Sequence, residues 1–101
     1  KYFIQINLGE EQHKSGIVLN DLINFYNYCT KKLSLNVVGL MCIPPMDANS
    51  QKYFKILKNA ADKLNLKELS MGMSLDFEDA IENGATYLRL GTVILGDRNF
   101  N

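Results

Sequence analysis

Residue types on which protein chemistry often depends are scarce in this sequence. It contains one histidine and two cysteines among 101 residues. His13 stands alone in a polar loop, so neither a zinc site nor a Ser-His-Asp or Cys-His arrangement can be built around it. Cys29 and Cys42 lie in apolar surroundings without paired spacing, which is typical of buried, reduced thiols in an intracellular protein. We therefore predict neither a metal site nor a catalytic nucleophile.

Charge of one sign and long apolar runs are also lacking. The eleven basic and eleven acidic residues cancel, which leaves no basic surface for nucleic acid or for an anionic membrane. No apolar run approaches the roughly 18 residues of a membrane span. The chain opens directly on a strand, without a signal peptide and without an initiator methionine. These features predict a cytoplasmic protein without nucleic-acid or membrane partners, of which these residues are a part.

The sequence does contain a regular alternation of strand and helix patterns. Apolar segments of period two, or continuous ones, predict strands at Tyr2 to Leu8, Asn36 to Ile43, Glu68 to Met73 and about Ala85 to Leu90. Apolar residues at helical spacing predict three helices. The first is capped by Asn20 or Asp21 and runs to about Leu33, the second starts at Asp47, Asn49 or Ser50 and runs to about Leu64, and the third starts with Ser74 as its cap and stops at Asn83-Gly84.

This β-α-β-α-β-α-β order predicts parallel strands joined by right-handed crossovers. Four such units are half of a (β/α)8 TIM barrel, and a whole barrel typically has about 250 residues. We therefore predict one α/β unit of parallel βα repeats that forms half of a barrel. A small open α/β sheet is the alternative, although only three predicted helices would then cover both of its faces.

Small and polar residues follow the fourth predicted strand, where sites in parallel α/β architectures form. Gly91 would let backbone N–H groups approach an anion, and Thr92 adds a hydroxyl group. A short helix at V-I-L-G would add a favourable dipole. Arg89 offers planar, forked donors to a ligand, with a structural ion pair as the alternative. The pattern predicts a site for a phosphate-bearing ligand.

The third predicted strand ends in L-S-M-G-M-S-L-D, Leu69 to Asp76, which is unusual for a packed strand. Gly72 indicates a close backbone approach, either by a ligand or by another chain segment. Ser74 is suited to cap the following helix or to bind an anion. We interpret the acidic residues around the helix start as a solvated face that the helix dipole favours. That face comprises Asp76, Glu78, Asp79 and Glu82.

The same stretch carries a resemblance to a known family. The C-terminal signature of the pyridoxal phosphate homeostasis proteins resembles Leu69 to Arg98, which reads L-S-M-G-M-S-L-D-F-E-D-A-I-E-N-G-A-T-Y-L-R-L-G-T-V-I-L-G-D-R. These are single-domain, alanine-racemase-like proteins that bind pyridoxal 5'-phosphate (PLP). Further family segments resemble I-Q-I-N, E-E-Q-H-K-S-G-I and G-L-M-C-I-P-P, in the same order. The resemblance therefore extends over nearly the whole chain.

The resemblance implies a fold-type III barrel that holds PLP at the carboxyl ends of its strands, through a Schiff base to a lysine. It implies a role in balancing vitamin B6 and amino acid pools, as a carrier without a reaction of its own. A PLP-dependent enzyme of the alanine racemase type is the alternative, and a phosphosugar barrel enzyme is a third. Carried over by motif, the cofactor-binding residues are Ser70, Met73, Ser74, Arg89, Gly91 and Thr92.

The resemblance also implies a role for each of these residues. Ser70 and Ser74 would lie at the phosphate end, and the choice between them as the side-chain ligand stays open. Met73 would lie near the cofactor. Gly91 and Thr92 would hold the phosphate through the backbone and the hydroxyl group.

Arg89 would face the pyridine nitrogen, where a cation disfavours protonation and weakens the ring as an electron sink. That chemistry suits a carrier or a racemase better than a transaminase. The family's Schiff-base lysine, in a segment like V-S-K, has no counterpart here, and Lys14 and Lys67 do not match its position. A W-H-x-I-G-x-L-Q segment is missing too. Residues 1–101 are therefore expected to be the C-terminal half, about strands five to eight, of a single barrel domain; a monomer is one alternative for the full-length protein.

Overall fold

The computed structural model describes residues 1–9, 16–44, 49–73 and 76–89 of the chain. Its four strands form one sheet in the order β1-β2-β3-β4, and each neighbouring pair is parallel. The strands are Tyr2–Gln5 (β1), Val37–Met41 (β2), Glu68–Met73 (β3) and Tyr87–Arg89 (β4). Parallel neighbours in chain order require a crossover after every strand. The predicted α/β architecture is thus confirmed for the described part of the chain.

Three α-helices lie between the strands, at Leu22–Asn27 (α1), Ser50–Lys63 (α2) and Phe77–Glu82 (α3). The first predicted helix is not uniform, because a 3-10 turn precedes α1 and a π-helical turn at Tyr28–Lys32 follows it. The predicted start of the last helix at Ser74 is wrong, because α3 begins at Phe77 with Asp76 at its N-cap. Ser74 itself lies outside the described residues.

The predicted stop of α3 at Asn83 and Gly84 is confirmed. Asn83 is the C-cap, and Gly84 has a φ of +95°. The Ala85 N–H donates to the Ala80 carbonyl at 3.0 Å, which satisfies a carbonyl group of the last helical turn. A left-handed glycine after a helix produces this reversal at little steric cost, and it directs the chain into β4.

One face of the sheet is buried beneath the helices. Ile4, Leu40 and Leu69 are neighbours in register across β1, β2 and β3, and none is more than 4% exposed. Phe54 and Leu57 of α2 are fully buried in the same core. Each large apolar side chain buried in this way stabilises the fold by about 1.5–3 kcal/mol. The helices are therefore fixed to this face, and the other face is left for a site.

The opposite face of the sheet, here called the inner face, is concave. Its central row is Gln5, Met41, Ser70 and Tyr87, in register across all four strands. The rings of Phe3 on β1 and Tyr87 on β4 meet edge to face, with centroids 5.2 Å apart. A flat sheet would hold those outermost strands about 14 Å apart. Strong curvature therefore closes this face, as in part of a barrel.

A glycine in β2 contributes to the close approach of the strands. Gly39 is in register with Phe3 on one side and with Glu68 on the other. A Cβ at Gly39 would collide with the backbone carbonyl of Glu68. Only a residue without a side chain fits between β1 and β3 at this position.

The helices of the described segments are short or amphipathic, and none of them is long and apolar enough to span a membrane.

Candidate functional site

The structure brings three of the six predicted cofactor-binding residues together. Ser70 and Met73 lie on β3, and Arg89 ends β4 directly beside Met73 in the parallel register. Met73 is 43% exposed and Ser70 is half-buried. The other three, Ser74, Gly91 and Thr92, lie outside the described residues. The carboxyl end of the β3–β4 pair is therefore the candidate site.

An extra residue in β3 determines which side chains face the site. Ser70 pairs with Tyr87 and Met73 pairs with Arg89, so a step of three residues on β3 matches a step of two on β4. Such a mismatch is a β-bulge. In a regular strand, residues three apart lie on opposite faces. Because of the bulge, Ser70 and Met73 both lie on the inner face, and their backbones are in register with Tyr87 and Arg89 of β4.

Gly72 makes the bulge sterically feasible. It has a φ of +102°, a conformation that glycine adopts readily and other residues rarely do. A Cβ at Gly72 would lie 2.6 Å from the Ala80 Cβ and 2.9 Å from the Leu88 Cδ2. Of the two alternatives for the close approach at Gly72, the structure thus supports contact with other chain segments, α3 and β4. The glycine in this strand therefore has two effects: it permits the shift of register between β3 and β4, and it allows α3 and β4 to pack closely against β3.

Asp76 has specific partners at the end of β3. Its Oδ1 accepts a hydrogen bond of 2.6 Å from the Met73 N–H, and its Oδ2 accepts one of 3.0 Å from the Ser50 hydroxyl group. The Asp76 N–H donates to the Met73 carbonyl at 3.1 Å. The interpretation of Asp76 as part of a merely solvated face is therefore wrong, because α2 packs against the turn that follows β3. Sequence reasoning also missed Ser50, since its contact with Asp76 spans 26 residues.

Asp79, another residue of that predicted face, is also bonded across the two helices. Gln51 Nε2 donates to Asp79 Oδ1 at 3.2 Å and to Glu82 Oε1 at 3.3 Å. Asp79 is half-buried, whereas Glu78 and Glu82 are exposed. The exposure of Glu78 and Glu82 agrees with the predicted solvated face, whereas the partial burial of Asp76 and Asp79 does not.

Cys42 follows β2 and is 2% exposed, as its apolar surroundings predict. Burial, with a smaller contribution from the Asp76 carboxylate, raises the pKa of the Cys42 thiol to about 12. The thiolate is the reactive form of cysteine. Cys42 therefore stays protonated near neutral pH and is unsuited to act as a nucleophile or as a base.

Within the described segments, neither a metal-binding cluster nor a cavity provides a second candidate site on the inner face. Within residues 1–9, 16–44, 49–73 and 76–89, no group of three or more His, Cys, Asp and Glu side chains could hold a metal ion. A cavity of about 440 Å³ lies on the helical side of the sheet. It is lined mainly by α1 and α2, including Leu22, Ile23, Ile56 and Ala60. Its position behind the core separates it from the inner face.

Comparison with known proteins agrees with this architecture. No protein-family model matches the chain. The pyridoxal phosphate homeostasis protein of Aquifex aeolicus is 40% identical over 106 aligned positions, which cover 96% of this chain and 46% of that protein. The protein of the same name from Synechocystis is 39% identical and is matched over 48% of its length. The chain is a homologue of the pyridoxal phosphate homeostasis proteins.

A solved structure shares this fold over part of its own length. The structure of PipY from Synechococcus elongatus with PLP bound matches 86% of this chain with a TM-score of 0.73 and 29% sequence identity. The match covers 44% of the PipY chain. The chain thus spans about half the length of the relatives that it matches. Its homology confirms the predicted resemblance, which the S-M-G-M-S and R-L-G-T motifs carry.

Proposed function

We propose that the chain is the C-terminal half, about strands five to eight, of a PLP-binding barrel domain that acts in intracellular PLP and amino acid homeostasis. The N-terminal half, with the Schiff-base lysine, would then lie outside residues 1–101. The bulge in β3 is the observation that carries the proposal, because it aligns Ser70 and Met73 with Arg89 at the carboxyl end of the sheet. The names of the homologues and the PLP-bound structure of PipY support the same reading.

The inner face fits a ligand that combines a planar ring with an anionic group. The small, half-buried Ser70 leaves space on this face, and Met73 offers an exposed, polarizable side chain. The Ser70 hydroxyl group is a donor at the edge of this space. We assign the phosphate to Gly91, Thr92 and one of Ser70 and Ser74. When bound, PLP supplies an electrophilic carbonyl group and a ring that can accept electron density.

Arg89 is assigned to the pyridine nitrogen. A guanidinium group stays protonated, so it would keep that nitrogen unprotonated and weaken the ring as an electron acceptor. A carrier needs binding without turnover, and this electrostatic arrangement serves that need.

We propose that the domain binds PLP without catalysing a reaction of its own. A racemase-type enzyme would need a second acid–base residue beside the cofactor. The Cys42 thiol does not meet that need, since its raised pKa keeps it protonated near neutral pH. The proposal is a soluble PLP carrier in the cytoplasm.

Phosphorus NMR of PLP tests the proposal. The protein in its natural length and the 101-residue chain would be titrated against PLP, together with Arg89→Ala, Thr92→Val and the control Lys55→Ala. Lys55 lies exposed on α2, away from the inner face. We expect a shifted, saturable phosphate signal in the full-length protein, about tenfold weaker affinity in Arg89→Ala and Thr92→Val, and no change in Lys55→Ala.

Two results would contradict parts of the proposal separately. An unshifted phosphate signal in the folded full-length protein would disprove PLP binding. Unchanged affinity in both site variants, with binding intact in the unmodified protein, would disprove the residue assignments alone. The 101-residue chain then shows whether this half binds phosphate by itself.

A further inference from the structure

The carboxylate of Asp76 joins two elements beside the candidate site, at the start of a third. One of its oxygen atoms accepts from the backbone of Met73, the last residue of β3, and the other accepts from Ser50, the first residue of α2. Asp76 itself stands at the N-cap position of α3, where its side chain makes no capping hydrogen bond. Both oxygen atoms are thus engaged, each by a different element, and the carboxylate is half-buried. Hydrogen bonds to an ionised acceptor are among the stronger ones in proteins.

The bond to Met73 stabilises the bulge at the point where it matters for the site. Met73 faces the inner side only because β3 gains one residue between Ser70 and Met73. Its N–H donates to Asp76, and its carbonyl accepts from the Asp76 N–H at 3.1 Å. This two-way pairing joins the end of β3 to the residue that precedes α3. Loss of the carboxylate would free the end of β3 to change its register.

The charge of Asp76 excludes a direct role in holding a phosphate. A carboxylate repels an anion, and its oxygen atoms cannot donate hydrogen bonds when ionised. Any contribution of Asp76 to PLP binding must therefore act through the residues that it holds in place.

We propose that Asp76, held by Ser50, is a positioning residue that sets the orientation of the Ser70–Met73 segment towards PLP. This inference rests on the proposed function. It predicts that PLP affinity depends on the hydrogen bonds of Asp76 and can be restored by a neutral side chain of the same shape. Asparagine meets that condition, since its oxygen can accept from Met73 and its amide can donate to the Ser50 oxygen.

A matched control lies one turn away. Gln51 links α2 to Asp79 in α3, just as Ser50 links α2 to Asp76, but Gln51 does not contact β3 through this link. Asp79→Ala therefore removes a similar hydrogen bond between α2 and the α3 region. It leaves the hydrogen bonds between Met73 and Asp76 intact. It separates loss of stability from loss of positioning.

The experiment compares PLP affinity and the phosphorus chemical shift of bound PLP in the full-length protein. The variants are Asp76→Ala, Asp76→Asn, Ser50→Ala and Asp79→Ala, each checked for folding by circular dichroism. We expect Asp76→Ala to weaken binding at least tenfold and to move the chemical shift. Ser50→Ala should weaken binding about threefold, whereas Asp76→Asn and Asp79→Ala should stay within about twofold of the unmodified protein.

Three outcomes would overturn the proposal. The first is unchanged affinity and chemical shift in Asp76→Ala or, if that variant does not fold, in Ser50→Ala. The second is an equal loss of affinity in Asp79→Ala, because the effect would then follow stability. The third is a failure of the unmodified full-length protein to bind PLP, which would remove the proposed function as well. PLP binding that survives every substitution would remove only the role of Asp76.

Discussion

At the scale of single residues, Cys42 shows how burial determines chemistry. Its thiol is almost completely enclosed, and its raised pKa of about 12 reflects the cost of a charge in that place. The sequence predicted a buried, reduced thiol from the apolar segment G-L-M-C-I. It could not predict the influence of Asp76, because that residue reaches Cys42 only through the packing of β2 beside β3.

The pKa of Cys42 predicts a loss of stability at high pH. In the unfolded chain the thiol would ionise near its ordinary pKa of 9.0, whereas in the fold it stays protonated up to about 12. The folded state therefore holds the proton more tightly, so stability is complete below pH 9 and falls as the pH rises towards 12. We expect the difference in unfolding free energy between the protein and Cys42→Ala to shrink by up to about 1.4 kcal/mol per pH unit in this window.

Urea unfolding at pH 8.0, 9.5 and 10.5, under reducing conditions, would measure that difference. Effects of high pH on other groups are common to both proteins and cancel in the comparison. A difference that stays constant with pH would mean that Cys42 is not protonated more strongly in the fold.

At the scale of elements, the bulge in β3 and the broken first helix mark the limit of sequence reasoning. The bounds Glu68–Met73 were predicted correctly, yet the extra residue within them was not. A period-two pattern cannot reveal a slip of one residue when serine, glycine and methionine surround it, since none of them is strongly committed to one face. The end of α3 was predictable because Asn-Gly is a local signal.

The first predicted helix failed for a related reason. The helical spacing of its apolar residues predicts that they share one buried face, but two of them, Ile23 and Leu33, are 59% and 49% exposed. The π-helical turn, with the Leu33 N–H donating to the Tyr28 carbonyl at 3.1 Å, rotates Leu33 away from the core. An extra residue per turn does not follow from helical periodicity.

Substitution of Gly72 tests the bulge. Gly72→Ala combines a left-handed φ with a contact of 2.6 Å to Ala80, so we expect a loss of about 2–5 kcal/mol in unfolding free energy. Gly84→Ala is the matched control, because Gly84 has a similar φ but a Cβ there would meet only side chains, the flexible Lys58 at 3.3 Å and Leu69 at 3.8 Å. It should cost about 1 kcal/mol. Equal losses in urea unfolding would show that the contact with Ala80 and Leu88 is not restrictive.

At the scale of the whole molecule, the parallel sheet with a helix-covered face could be predicted from alternation alone. Its curvature could not, since it depends on how close β1 and β4 come through the twist of every strand between them. The candidate site, too, could be predicted only in part from the sequence. Local motifs identified Ser70, Met73 and Arg89, while the contacts of Ser50 and Asp76 depend on how α2 packs against the end of β3.

The Phe3–Tyr87 contact provides a direct test of the curvature. In a double-mutant cycle with Phe3→Ala and Tyr87→Ala, we expect a coupling free energy of about 0.5–1.5 kcal/mol. Tyr2→Ala, with Tyr2 half exposed on the same strand, should show no coupling to Tyr87→Ala. Additive effects for the Phe3 pair would mean that β1 and β4 lie too far apart for their rings to touch.

The same aromatic pair determines from which side a ligand can reach the candidate site. Tyr87 lies two residues, or about 7 Å, before Arg89 along β4, and its ring rests on that of Phe3. In the described part of the chain, a floor of two aromatic rings therefore lies below Met73 and the end of β4. We expect a molecule held above this floor to enter and leave at the same end.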